Sequence, residues 1–494
     1  MNLAFAFEAS ARKHERQTAI FWGEQQFAYA DLLSSALSLV NCLEKSFDVK
    51  PGDRVALWLK NCAEFVPALY GILGAGAVVV PINNFLKPHE VSYILQDCDA
   101  KLVVTDSSMS ESVGKLRVGG HGIRSWNVDD FPGLAPGTGT LRAERRENDL
   151  AVIIYTSGTT GHPKGAMLAH GNLLSNVESC RIILSAVDTD RFVVLLPMFH
   201  SFMMTVCVLL PTIVGGSLVL IKSLHPPKNI LHEIIQHRAT ILPAIPQFFR
   251  TLANASVPPG FPLRLCISGG APLPGEILRE FTEKMPIPLI EGYGLSEASP
   301  VVSMNPIKGP WKAGSIGVPI PGVKVTVQDE GGRLLPPGQT GEICVAGPNV
   351  MQGYWNRPEE TAKALRGEWL LTGDIGHQDT DGYFFITDRK KDMLLVNGIN
   401  VYPREIEEVI YQFPGVKEAA VIGVPDARKG EHPLAFVSAA EGKQVDEKAL
   451  LHFVREKLAD YKVPKRVVFM PALPRNATGK ILKTALRQRL AASQ

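Results

Sequence analysis

The segment Tyr155-Thr-Ser-Gly-Thr-Thr-Gly-His-Pro-Lys-Gly165 places four hydroxyl side chains after the tyrosine, three glycines and a lysine in one loop. Glycines let backbone N–H groups approach an anion, hydroxyls donate hydrogen bonds, and a lysine adds a point charge. The loop follows an apolar run, residues 150–154, that reads as a buried strand. A polar linker would share the composition but would rarely follow a buried strand. The chemistry indicated is therefore a grip on a polyphosphate, as in a nucleoside triphosphate. The Walker A pattern is absent, because Lys164 follows Pro163 and precedes Gly165. A P-loop kinase or ATPase is accordingly disfavoured.

Further residues suit the rest of a nucleotide. In Glu291-Gly-Tyr-Gly-Leu-Ser-Glu-Ala-Ser-Pro300, Gly292 and Gly294 flank Tyr293 and predict an adaptable turn whose ring stacks on a flat base. Ser296 offers a hydroxyl, and Glu297 a carboxylate of the kind that holds Mg²⁺ beside a polyphosphate. Ser268-Gly-Gly-Ala-Pro-Leu273 follows a run at 263–267 that reads as a strand, and its glycines allow close approach of a planar group. Leu371-Thr-Gly-Asp374 predicts a tight turn whose carboxylate can accept hydrogen bonds from two neighbouring hydroxyls, as on a ribose. Two further segments carry lysines in polar settings: the dense charge cluster Asp388-Arg-Lys-Lys-Asp392 and the glycine turn before Lys480. Taken alone, each reads as a solvated turn.

Together these segments resemble the adenylate-forming superfamily, and 388–407 is closest to the bacterial medium- and long-chain fatty acid–CoA ligases. The resemblance is strongest over residues 155–482 and rests on pattern alone before 150. It implies the following roles. Thr156, Ser157, Gly158, Thr159, Thr160 and Lys164 form the phosphate loop. Gly269, Gly270, Ala271 and Tyr293 line the adenine site, and Ser296, where the family more often has threonine, contacts phosphate. Asp374 and Arg389 hold the ribose, and Glu297 binds Mg²⁺. Lys391 is the hinge, and Gly398 borders the channel of the coenzyme A thiol. Lys480 is the catalytic lysine of adenylation, and His200 gates an acyl pocket to which residues 243–249 add a wall. The substrates implied are ATP, coenzyme A and a carboxylic acid. Fatty acids lead, an aryl- or cinnamoyl-CoA ligase and a fatty acyl-AMP ligase stay open, and an amino-acid adenylation domain is disfavoured because the uncharged stretch from Phe192 to Ile221 offers no acid for an α-ammonium group. The spacing of Pro474, Gly479 and Lys480 resembles a lysine-acetylation pattern. Acetylation of Lys480 is therefore expected to silence adenylation by removing its charge; full activity of a homogeneously acetylated protein overturns this.

Positioning these residues requires more than one domain, and 494 residues exceed a single core. Alternating strand-like and helix-like runs (54–59, 63–76, 78–82, 89–97, 101–105, then 173–220 and 230–267) predict an α/β fold with parallel sheets under helices. Short β-branched runs with Gly/Pro turns from 314 to 345 predict a small antiparallel or barrel-like subdomain. The resemblance implies two αβ subdomains plus a small β-barrel over 1–388, a hinge at 389–391, and a small mobile α+β C-terminal domain over 392–494. Between Arg191 and Lys222 no side chain is acidic or basic apart from His200, but Pro197, Pro211 and Gly215-Gly216 interrupt the stretch. A buried helix followed by a strand is expected there, not a membrane span, and the rival reading as a non-catalytic membrane-associated protein leaves the phosphate loop without purpose.

A net charge of +2 without a basic stripe argues against nucleic-acid binding. Seven scattered cysteines lack metal or redox spacing and read as reduced thiols. Residues 1–20 lack a signal-peptide pattern and the last four are no peroxisomal address, so a cytoplasmic location is expected. A homodimer and peripheral membrane contact stay open.

Overall fold

The computed structural model describes residues 1–141, 144–156, 163–224, 226, 228–255, 257–426, 430–476 and 479–492. Among them the strands form four sheets.

The first sheet runs, in spatial order, Gly353–Tyr354, Lys164–Ala169, Leu150–Thr156, Val78–Pro81, Arg54–Leu57, Ala100–Thr105, Ser125–Asn127. The second has a parallel centre of Leu289–Gly294, Leu265–Ser268, Ile241–Ala244, Arg191–Val194, Ser217–Leu220 and Thr18–Trp22, with antiparallel strands at both edges. Central strands such as Val78–Pro81 and Leu265–Ser268 are buried along their whole length, which explains why they read as unbroken apolar runs.

Helices Leu3–Lys13, Tyr29–Ser46 and Phe65–Gly74 pack into one core with side chains of both sheets. Phe65–Gly74 is buried on all sides, as its near-continuous apolar sequence requires. A Cβ on Gly71 would stand 2.9 Å from Leu39, so a bare glycine is what lets the two helices approach so closely. The uncharged stretch after Arg191 folds as expected into a buried helical segment and the strand Ser217–Leu220. Its middle, Met204–Leu209, widens into a π-helix just before Pro211, which has no N–H to donate.

The β-rich texture becomes an antiparallel sheet of Lys324–Gln328, Gly341–Ala346, Leu365–Arg366, Trp369–Gln378 and Phe384–Arg389. The C-terminal part has its own sheet, in which Val416–Asp426 and Gly430–Ala439 pair along most of their length. Helices Pro403–Tyr411 and Glu447–Lys457 share a core with that sheet. No helix among the described residues is long and apolar enough to cross a membrane.

Two local expectations were wrong. Tyr293 does not sit on an adaptable turn: it lies in the strand Leu289–Gly294, opposite Ser303 of Val301–Met304. Asp374 likewise lies within the strand Trp369–Gln378, between two register shifts. In both cases a distant strand supplies the hydrogen bonds that override the local glycine signal.

Candidate active site

Open parallel sheets bind ligands beyond the carboxyl ends of their strands, and the expected residues gather there. The loop after Leu265–Ser268 supplies Gly270 and Ala271, the end of Leu289–Gly294 supplies Tyr293, and the residues after Ile241–Ala244 supply Ile245 and Gln247. With Asp374, Arg389 and Lys480 they line one cavity of about 230 Å³ between the large region and the C-terminal part.

Inside it, the Tyr293 hydroxyl donates to Asp374 Oδ2 at 2.5 Å, and Arg389 Nε pairs with Asp374 Oδ1 at 3.0 Å. Both oxygens of the Asp374 carboxylate are thus engaged, and a ligand hydroxyl must exchange with Tyr293 or Arg389 or share one of the oxygens. Gly270, at φ +76°, turns the backbone out of the strand. Gly269 faces Phe202, whose ring carbon would stand 3.0 Å from a Cβ built there.

Lys480 arrives from the C-terminal part. Its turn is closed by Asn476 N donating to Lys480 O at 2.9 Å and by Lys480 N donating to Asn476 Oδ1 at 2.8 Å. Gly479, at φ +80°, lies so close to Ile245 that a Cβ would sit 2.4 Å from its Cδ1, so this turn docks directly on the large region. Burial pushes the Lys480 ammonium down to about 8; Arg389 and Lys391 add to the effect, and Asp374 and Asp392 oppose it.

His200 caps the helix Ser201–Met203, its Nδ1 accepting from Phe202 N at 3.3 Å. That bond leaves the hydrogen on Nε2. Burial, with the nearby Lys480 charge, pushes the ring down to about 4, so it is neutral at pH 7. Its neighbour Ser201 shares a hydrogen bond of 3.0 Å with Ser296, linking the apolar segment to the phosphate side.

The triphosphate end is described in part. Ser157, Gly158, Thr159 and Thr160 lie outside the described residues. Thr156, at the end of its strand, directs Oγ1 toward Glu297 Oε1 at 3.4 Å. Lys164 pairs with Glu360. Among the described residues no three His, Cys, Asp or Glu side chains form a metal cluster. A single carboxylate, Glu297, beside hydroxyls fits a Mg²⁺ that arrives on triphosphate oxygens.

Lys391 sits in the turn at 389–393, where Asp392 N and Met393 N both donate to Arg389 O, and burial lowers its ammonium. Gly398 is not brought to the cavity. It lies at the exposed tip of the hairpin Leu394–Val396/Ile399–Val401, with open space where a Cβ would stand. The sequence reading missed Glu291, which burial raises to about 7 against Arg404, and missed Tyr354 and Glu360 altogether. The signals were there in the acidic residue before Gly292 and in the run Gly353-Tyr-Trp-Asn-Arg-Pro358, but neither shows its partner locally.

Comparison with known proteins agrees with this geometry. The family model of the AMP-binding enzymes matches residues 7–355, and that of the AMP-binding enzyme C-terminal domain matches 405–480. A long-chain-fatty-acid–CoA ligase of Bacillus subtilis is 37% identical over 97% of this chain and 92% of its own. A feruloyl-CoA synthase of an Amycolatopsis species is also 37% identical, over 97% of both chains. The crystal structure of ATP-bound MatB from Rhodopseudomonas palustris is 34% identical, covers 99% of both chains and superposes with a TM-score of 0.91; its apo form, again covering 99% of both, reaches 0.78. With both halves matched and the cleft residues assembled between them, the chain belongs to the AMP-binding, adenylate-forming enzymes and is an acid–thiol ligase that makes acyl-CoA through an acyl-adenylate.

Proposed function

We propose that the acid is a medium- or long-chain fatty acid, and that Lys480 serves the first of two half-reactions. The carboxylate attacks the α-phosphate of ATP and pyrophosphate leaves. Lys480 meets the negative charge that builds on the α-phosphate and carboxylate oxygens, the task for which preorganised cations are most effective. His200 offers its Nε2 hydrogen to the same oxygens. Asp374 and Arg389 hold the ribose, while Thr156 and Lys164 hold phosphate. Mg²⁺, held by Glu297, would neutralise the charge of the leaving pyrophosphate. The C-terminal lid then turns about Lys391, withdraws Lys480 and brings the Gly398 hairpin in. The thiol of coenzyme A attacks the acyl carbon, and AMP leaves.

The observation that carries this reading is Lys480 lining the cleft with Asp374 and Arg389 while Gly398 stands outside, the arrangement the first half-reaction needs. The closer match to ATP-bound than to apo MatB supports it. For the acid, the wall from Phe202 to Leu209 is uncharged, buried and carries two consecutive methionines, which suits a flexible apolar chain. A second reading, an aryl acid, draws on the flat ring of Phe202 against Gly269 and on the similarity to a feruloyl-CoA synthase.

Acyl-CoA formation with MgATP and coenzyme A, measured from acetate to stearate with coumarate and benzoate alongside, tests the proposal. Activity that rises with chain length supports a fatty acid. A preference for aromatic acids moves the assignment to the second reading. Pyrophosphate release without thioester overturns the second half-reaction.

A further inference from the structure

The strand Gly353–Tyr354 lies beside the one that Lys164 opens: Gly353 pairs with Met167, Tyr354 pairs with Ala166, and Trp355 N donates to Gly165 O at 2.8 Å. This register puts the Tyr354 ring beside Lys164, with Nζ 5.4 Å from the ring centroid. The hydroxyl of the same ring donates to Glu297 Oε1 at 2.9 Å. Glu297 is tied to the same segment through its backbone, since Met351 N donates to Glu297 O at 2.8 Å. Tyr354 is itself clamped, its N donating to Thr361 Oγ1 at 2.8 Å. Helix Pro358–Ala364, which carries Thr361, also carries Glu360, the partner of Lys164. Glu360 has a second cation, Lys363, at 3.3 Å.

A lysine that must meet phosphate and a glutamate that must meet a divalent ion are drawn to each other when neither ligand is present. A direct pair would have to break before the nucleotide could enter. Here Tyr354 stands between them, and each has another partner. One carboxylate oxygen of Glu297 accepts from Tyr354 and the other is left for the ion. Lys164 is lent to Glu360, and when phosphate takes it Lys363 remains to balance Glu360.

We propose that Tyr354 is the positioning residue of the triphosphate end: its hydroxyl fixes the Glu297 carboxylate for the divalent ion, and its ring keeps Lys164 away from that carboxylate. The inference rests on the adenylation reading above.

Tyr354→Phe in the full chain tests it, because the ring and its packing stay and only the hydroxyl goes. Binding of Mn²⁺, followed by electron paramagnetic resonance with a non-hydrolysable ATP analogue present, should weaken about tenfold, the usual effect of losing a hydrogen bond to a charged group. KM for MgATP in pyrophosphate release should rise by a similar factor, kcat should change far less, and the melting temperature should hold. In a Glu297→Gln background the same substitution should produce no further loss of Mn²⁺ affinity, since its effect passes through that carboxylate. An active parent whose Phe variant binds Mn²⁺ and MgATP unchanged overturns the inference alone, as does a loss that adds fully to that of Glu297→Gln. A parent that releases no pyrophosphate with any carboxylic acid overturns the adenylation reading, and this inference with it.

Discussion

The two ends of the nucleotide cleft are built in opposite ways. At the triphosphate end the charges belong to the large region and already have partners: Lys164 with Glu360, and Glu297 with the hydroxyl of Tyr354. At the other end the charge proposed to meet the α-phosphate, Lys480, comes from the C-terminal part. Lys480 has no carboxylate within ion-pair distance among the described residues, and its surroundings push it down to about 8. A group that is needed whenever nucleotide is bound can be held permanently by neighbours that phosphate displaces. A group needed in one half-reaction only is better carried on an element that leaves, and keeping it unpaired in the cleft makes its charge costly until substrate oxygens arrive.

The largest test of that contrast is Lys480→Ala. It should slow pyrophosphate release ~10²–10³-fold, while thioester formation from preformed acyl-adenylate stays near the parent rate in single-turnover experiments. Equal losses in both half-reactions would break the division of labour between the two ends.

Next is the docking of the lid itself. Gly479→Ala introduces a side chain at φ +80° against Ile245. Such strain costs about 1–3 kcal/mol, or about 5- to 150-fold in the closed population. Adenylation should fall with it and thioester formation should not; parallel loss in both would show that the turn matters for folding rather than closure.

The pH profile sharpens the same point. If Lys480 acts in adenylation as proposed, it must be protonated, so kcat/KM for pyrophosphate release should be level below about 8 and fall as pH rises through it, tenfold per unit at the limit. Stability moves the other way. With Lys480 withdrawn from the cleft, as the proposal requires, its ammonium would bind the proton more tightly, so docking of the C-terminal part without nucleotide should strengthen as pH rises from about 8 toward the ordinary 10.5. Lys480→Arg should shift the activity limb out of range, and a limb that stays near 8 would assign it to another group.

The smallest effect concerns the acid. Phe202→Ala should move the preferred chain length by a few carbons, with each buried CH₂ worth about 0.8 kcal/mol, and leave KM for MgATP alone. Unchanged acid selectivity would place the pocket elsewhere.

Much of this is legible in the sequence. Fully buried strands such as Val78–Pro81 and Leu265–Ser268 announce themselves as apolar runs, and glycines after them mark the binding edge. Tyr293 and Asp374 misled because their glycine neighbours signal turns, whereas strand partners farther along the chain hold both extended. The run around Tyr354 does not name its partner, since the hydroxyl serves a carboxylate 57 positions away in the sequence.

The order of residues along this chain determined its family, its alternating α/β elements and the identity of the groups able to grip a nucleotide, because backbone periodicity and side-chain chemistry are local properties. Which of those groups meet was decided only by tertiary structure. Folding places Lys480 beside Asp374 and Arg389, sets Tyr354 between Lys164 and Glu297, and leaves Gly398 outside. Distance, burial and the resulting cost of charge depend on how strands and lid pack, and those are quantities that no stretch of sequence carries by itself.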